Sequence, residues 1–164
     1  MSVSTVPVAA GCALLLALAG CGFRLAGNYR LPPVLAKPYL SISDPYTDFA
    51  REFELQLKAA GAAVQIDSKS ATATIDVSKD LVEQRTLSVS ANNIPTEYEL
   101  VYTVTFSVRG DDKVLLAPQT INLARDFSFE EQVLLAKEHE ADVLRAQMAR
   151  DLAGIAMRRL TSLK

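Results

Sequence analysis

From Glu97 to Val108 the chain alternates: Tyr98, Leu100, Tyr102, Val104, Phe106 and Val108 take one side, while Glu97, Glu99, Thr103, Thr105 and Ser107 take the other, with Val101 the one apolar residue among them. Side chains in a strand point alternately to opposite faces, so this pattern predicts a long strand with one face on a core and one on a polar environment. A half-buried strand needs neighbours, and they are at hand. Residues 72–90 alternate less cleanly around Ile75, Val77, Leu81, Leu87 and Val89, and Asn92-Asn93 is the turn between the two. The polar stretch Glu83-Gln84-Arg85 predicts a bulge or a segment that leaves the core. Gly110-Asp111-Asp112 turns the chain into a further strand over 114–127, where Pro118 implies an edge position or a bulge.

Two helical patterns flank these strands. Tyr39, Leu40 and Ile42 form a short first strand, and Asp44-Pro45 opens a helix with the acid as cap and the proline in its first turn. Phe49, Phe53 and Leu57 put a single apolar stripe on it, and Gly61 stands where a helix ends with positive φ. Val64 and Ile66 then read as a second short strand. Near the C-terminus, Ser128 and Glu131 make a capping box for a helix running to about Leu160. Leu134, Ala141, Leu144, Met148, Leu152 and Ile155 give that helix its sheet-facing stripe. The expectation is an α+β two-layer sandwich, with two helices packed on one face of a mostly antiparallel four-stranded sheet.

The first twenty residues are of another kind. They contain no Asp, Glu, Lys, Arg or His, and Pro7 to Gly20 is almost wholly small and apolar. A spanning helix needs roughly 20 apolar residues; this shorter run suits the hydrophobic region of a secretory signal. It ends in Leu18-Ala19-Gly20-Cys21, the pattern of a bacterial lipobox, in which small residues admit a peptidase and the cysteine thiol takes the lipid. Residues 1–20 are therefore read as signal peptide, 21–38 as lipid anchor and a proline-bearing tether, and 39–164 as one domain. Cys12 would leave with the signal and Cys21 would become a thioether, so the mature domain would lack thiols and disulfides and rest on its apolar core. Gly22, in place of an Asp that would retain the protein at the inner membrane, favours the periplasmic side of the cell outer membrane.

Catalytic chemistry finds little support. His139 is the only histidine, and Glu138-His139-Glu140 lacks the second imidazole one turn away that a metal site would use. A nucleophile elbow and a phosphate-binding glycine loop are both missing. No enzyme, cofactor or metal is expected, and the net charge of −2 gives no sign of a nucleic-acid partner. Binding chemistry is better represented. Arg109 and Lys113 flank one hairpin turn and Arg125 lies at the far end of the same strand, while Lys79 and Arg85 lie on the strand before; cations beside apolar surface suit an anionic amphiphile.

The run Cys21-Gly22-Phe23-Arg24-Leu25-Ala26-Gly27 resembles the opening of LptE-type LPS-assembly lipoproteins. Asp44-Pro45, Thr96-Glu97-Tyr98, Arg125-Asp126-Phe127 and the stretch from Leu135-Ala136-Lys137-Glu138 through Glu140, Met148, Asp151 and Arg158-Arg159-Leu160 resemble the same family, in order and spacing. The resemblance implies two helices on a four-stranded sheet, a place as a plug in the lumen of the LptD β-barrel, a part in that barrel's assembly, and binding of lipopolysaccharide with Arg109, Lys113 and Arg125 as its candidate contacts. Where the family carries a basic residue before the main strand, this chain has Ser90-Ala91-Asn92. A lipid-carrier or pilotin-type chaperone lipoprotein for another outer-membrane assembly is the alternative; it would need an enclosed apolar cavity, whereas a plug would be solidly packed.

Overall fold

The computed structural model describes residues 29–91, 93–111, 113–128 and 134–163, with side chains from residue 140 in the last stretch. Cys21 with its signal, Glu131 of the capping box and the side chains of Leu134 and His139 lie outside the described residues. Four strands form one sheet in sequence order: β1 (Pro38–Ile42), β2 (Ala73–Val89), β3 (Pro95–Arg109) and β4 (Val114–Ser128). β1 runs parallel to β2, and the other neighbours are antiparallel. Helices α1 (Asp48–Ala59) and α2 (Leu134–Thr161) pack side by side on one face. The two-layer α+β arrangement is the one the periodicities predict.

α1 crosses between two parallel strands, the connection that parallel pairing requires. Its start differs from expectation. Asp44 accepts a hydrogen bond from the amide of Tyr46 at 2.9 Å and closes a turn, so Pro45 is in that turn and not in the helix. Thr47 is the cap: its backbone is extended and its hydroxyl accepts from Ala50 N at 3.1 Å. At the other end Gly61 has φ +89°; its amide bonds to Lys58 O, and that of Ala62 bonds to Leu57 O. This paired closure needs a left-handed residue at the glycine position.

Val64 and Ile66 do not form a strand. The segment touches β1 through a single parallel bridge between Tyr39 and Gln65, and Ile66 is 99% exposed. Two alternating residues offer too few ladder bonds to hold a strand on the outer edge, and Asp67 then caps a 3-10 turn over Ser68–Ser70 that leads into β2. The irregularity in β2 is also elsewhere. Glu83, Gln84 and Arg85 pair in regular register with Val101, Leu100 and Glu99, while the shifts fall at Ser78 and around Ser88. Residues 83–87 are instead the stretch that leaves the core, all of them exposed. β4 is an edge strand, and its register shifts around Pro118, where Phe106 opposes Gln119 and Val108 opposes Leu116. Pro118 is thus accommodated in both of the ways its missing N–H allows.

Between the layers sit Phe49, Phe53, Leu57, Tyr102, Val104, Phe106, Met148, Leu152, Met157 and Leu160, each at most 1% exposed. The Phe49 and Phe53 rings stack at 5.2 Å, and Phe53 meets Phe106 at 6.4 Å. Leu144 and Ile155 are partly buried at the margin of this core.

Candidate interaction surfaces

The strand residues that do not face the helices form the broadest surface. Partners in a ladder share a face, so the row through Ser107, Thr105 and Thr103 of β3 continues into Asp76, Lys79 and Leu81 of β2, and Thr105 and Thr103 into Thr120 and Asn122 of β4. The Thr105 and Thr120 hydroxyls are 3.0 Å apart, and Ser41 donates to Asp76 at 3.0 Å. Hydroxyl and amide groups dominate its centre, with Leu81 and the largely covered Val101 as its apolar members. Such a surface can dock flat against another polar wall provided that wall offers an acidic partner to Lys79. Periodicity assigned Thr103, Thr105 and Ser107 to a polar face, but Leu81, grouped in sequence with Ile75 and Val77, is turned to this outer face by the register shift at Ser78 and is 42% exposed; the continuity across three strands required the register.

β2, β3 and β4 outrun β1, which pairs only with residues 73–77. Beyond it, the β2–β3 hairpin carries Leu87, Val89 and Ile94 at 50, 52 and 41% exposure around a turn in which Asn93 has φ +63°. Sequence reasoning placed Leu87 and Val89 in an alternating strand but missed that they stay uncovered.

The cations divide between places. Arg109 and Lys113 stand together at the β3–β4 turn, where Gly110 N bonds to Lys113 O at 2.8 Å. Arg125 is not with them. It lies opposite Leu100, nine positions along β3 from Arg109, which at about 3.3 Å per residue is about 30 Å away. It also lies on the helix side of the sheet, 3.7 Å from Asp151 of α2, whereas Arg109 follows the core residue Val108 and takes the opposite side. Arg85 approaches Glu83 and Glu99 at 3.8 Å, so it is shared between acids on the open face. Lys79 sits exposed at the bulge.

Inside, the one titratable group with a large perturbation among the described residues is structural. Burial, and then the neighbouring Asp80 carboxylate, push the Tyr102 phenol far above the usual tyrosine range, so it remains neutral and serves as a hydrogen-bonding group. Among the described residues no three His, Cys, Asp or Glu side chains are grouped to hold a metal ion, and no helix is long and apolar enough to cross a membrane. The hollows along the helices are open grooves. One of about 590 Å³ is lined by Tyr29, Gln56, Ala59, Arg150, Asp151, Gly154 and Arg158. The Tyr29 hydroxyl reaches the Gly154 carbonyl at 3.4 Å, and a Cβ at Gly154 would come within 3.2 Å of that hydroxyl.

Residues 36–160 match the family model LptE, described as lipopolysaccharide-assembly. The LPS-assembly lipoprotein LptE of Yersinia enterocolitica serotype O:8 is 34% identical over 149 residues, covering 89% of this chain and 70% of the relative, and that of Yersinia pestis strain Pestoides F is similar to the same extent. Among solved structures, rare lipoprotein B from Shewanella oneidensis superposes with a TM-score of 0.66 at 27% identity, over 77% of this chain and 94% of that one. Lipoprotein B from Nitrosomonas europaea gives a TM-score of 0.69 at 26% identity, over 86% and 91%.

Proposed function

The chain belongs to the LptE family of lipopolysaccharide-assembly proteins, and from that membership we propose that it is a non-catalytic outer-membrane lipoprotein that plugs an LptD-type β-barrel, assists its assembly and helps deliver lipopolysaccharide to the cell surface. The observation that carries this reading is the filled core beneath an uncovered polar sheet. A carrier of acyl chains needs an apolar chamber; here the space between helices and sheet is occupied by Phe49, Phe53, Phe106, Met148 and Met157, each with no exposed surface. A plug needs a solid body whose outer wall matches a hydrated lumen, and the Thr103, Thr105, Thr120 and Asn122 face supplies that chemistry.

In this reading Cys21 carries the lipid and holds the domain at the periplasmic side of the outer membrane. Arg109 and Lys113 are the phosphate contacts for lipopolysaccharide, and Arg125, on the other side of the sheet, takes part only from a separate position. Copurification from solubilised outer membranes, with an affinity tag after Lys164, tests the proposal. An LptD-type barrel and lipopolysaccharide should be recovered with the chain. Recovery without any such barrel overturns the plug reading, and an unacylated N-terminus on the membrane-bound protein overturns the anchor.

A further inference from the structure

The two ends of the domain carry opposite charge. At the end where β1 and β2 begin, Lys37 bonds through its amide to Thr72 at 3.2 Å, the amide of Ala63 bonds to Ala36 O at 2.8 Å, and Thr74 faces Arg109. These contacts bring the C-terminus of α1 beside the turn that carries Arg109 and Lys113. α2 ends here as well, since Arg158 lines the groove with Ala59 and Tyr29. Arg30, Lys37, Arg109, Lys113, Arg158 and Arg159 are therefore gathered at one end, all exposed and none in an ion pair among the described residues. Asp67, Asp111 and Asp151 are the described acids nearby; Asp67 is engaged as the cap of the 3-10 turn, and Asp151, in the groove with Arg158, lies 3.7 Å from Arg125, so cations still outnumber acids at this end. The opposite end holds Glu83, Glu97, Glu99 and Asp126 against Arg85 and Arg125, with Glu99 and Asp126 directly paired across β3 and β4, so its balance is negative.

Tyr29, at the cationic end, lies eight positions after Cys21. Eight residues reach at most about 29 Å when fully extended. A lipid on Cys21 therefore confines this end, and not the acidic one, to the neighbourhood of the leaflet that holds the lipid. We propose that, before the domain enters a barrel, the cationic end is a docking surface for the phosphate headgroups of that phospholipid leaflet, so that the free anchored domain stands with its α-helix C-termini and the β3–β4 turn on the membrane and its β2–β3 hairpin pointing away. Clustered Lys and Arg beside an anchor are attracted to anionic headgroups within a Debye length, about 10 Å at 0.1 M salt. The acids at the far end are repelled by the same field, which turns attraction into orientation. One anchor and one cationic patch also satisfy the two-signal requirement for durable membrane association. The inference rests on the anchor reading of Cys21, but its test removes the anchor, so the two can fail separately.

Every buried core residue among the described ones lies between Leu35 and Leu160, so the chain from Gly22 onward keeps that core without an acyl group. Flotation of that chain with vesicles of phosphatidylcholine, alone or doped with phosphatidylglycerol, reads the docking directly. The chain should float with the doped vesicles at low salt, at least tenfold more than with the neutral ones, and should be released as salt rises. Arg109→Glu, Lys113→Glu and Arg158→Glu together should remove at least tenfold of that binding, whereas Arg51→Glu, Lys79→Glu and Arg85→Glu together, the same change in net charge elsewhere, should leave it within twofold. Unaltered thermal midpoints verify folding, and Gln in place of Glu at the first three positions serves if the reversals unfold the chain. Equal losses from the two triple variants, or no preference for doped vesicles, overturn the proposal. So does a chain that binds dispersed lipopolysaccharide but ignores phosphatidylglycerol, because the end would then serve lipopolysaccharide alone.

Discussion

The phenolic oxygen of Tyr102 accepts a hydrogen bond from the backbone amide of Phe49 at 3.1 Å. That bond joins the centre of the sheet to the first turn of α1, where a helix has amides without partners of its own. Tyr102→Phe leaves a buried donor unpaired and should cost about 1–3 kcal/mol of stability in urea unfolding.

The same residue predicts a pH dependence. Its folded pKa is raised, so the unfolded chain releases the phenolic proton first as pH climbs. The stabilisation is complete below the ordinary tyrosine value of about 10 and is lost as pH rises above it towards the folded value. Unfolding free energies of the native chain and Tyr102→Phe should therefore converge above about pH 10. A constant difference from neutral pH through that range would show that Tyr102 does not titrate differently in the two states.

Gly61→Ala isolates a backbone cost. Nothing lies within 4 Å of the added Cβ, so packing does not contribute, but φ +89° is unfavourable for any residue with a side chain. About 1 kcal/mol, or a fall of about 4 °C in the calorimetric midpoint, is expected.

Phe106→Ala and Thr105→Ala, neighbours on opposite faces of β3, should behave oppositely. The first removes a ring with no exposed surface and should cost about 3–5 kcal/mol, a large part of a domain's net stability of about 5–15 kcal/mol. The second should stay within about 0.5 kcal/mol. Similar midpoints for both variants would mean that the strand's inner and outer faces had been exchanged.

For lipopolysaccharide, Arg109→Gln with Lys113→Gln should weaken binding at low salt about tenfold, equivalent to about 1.4 kcal/mol. Arg125→Gln alone should change it less than about twofold, because its guanidinium is turned towards Asp151 on the helix side. Equal effects from the two would place the phosphates across the sheet rather than at the β3–β4 turn.

These contrasts trace where sequence reasoning succeeds. The phase of β3, the stripe Phe49-Phe53-Leu57 and the closing role of Gly61 depend on residues a few positions apart, and local geometry determines them. Helix α1 began later than Asp44-Pro45 suggested because two side-chain oxygens competed to close the preceding turn, and Thr47 bonds the helix while Asp44 bonds Tyr46. Val64 and Ile66 had the right composition for a strand but only one bridge to an edge. The cations were the least legible. Arg109 and Arg125 belong to one hairpin in sequence, yet long antiparallel strands place hairpin residues at opposite ends, and the alternation of side chains places them on opposite faces.

The last helix in the chain supplies Met148, Leu152, Met157 and Leu160 to a core whose other half comes from α1 and the strands. Until α2 has emerged, the inner face of β2, β3 and β4 has only the twelve residues of α1 to cover it. For a chain that crosses a membrane N-terminus first, closure of this core therefore waits for α2: the strands and α1 can emerge earlier, but their apolar face is completed only when residues 148–160 reach the far side. The order of elements thus acts as a timing device, with α2 as the closing step.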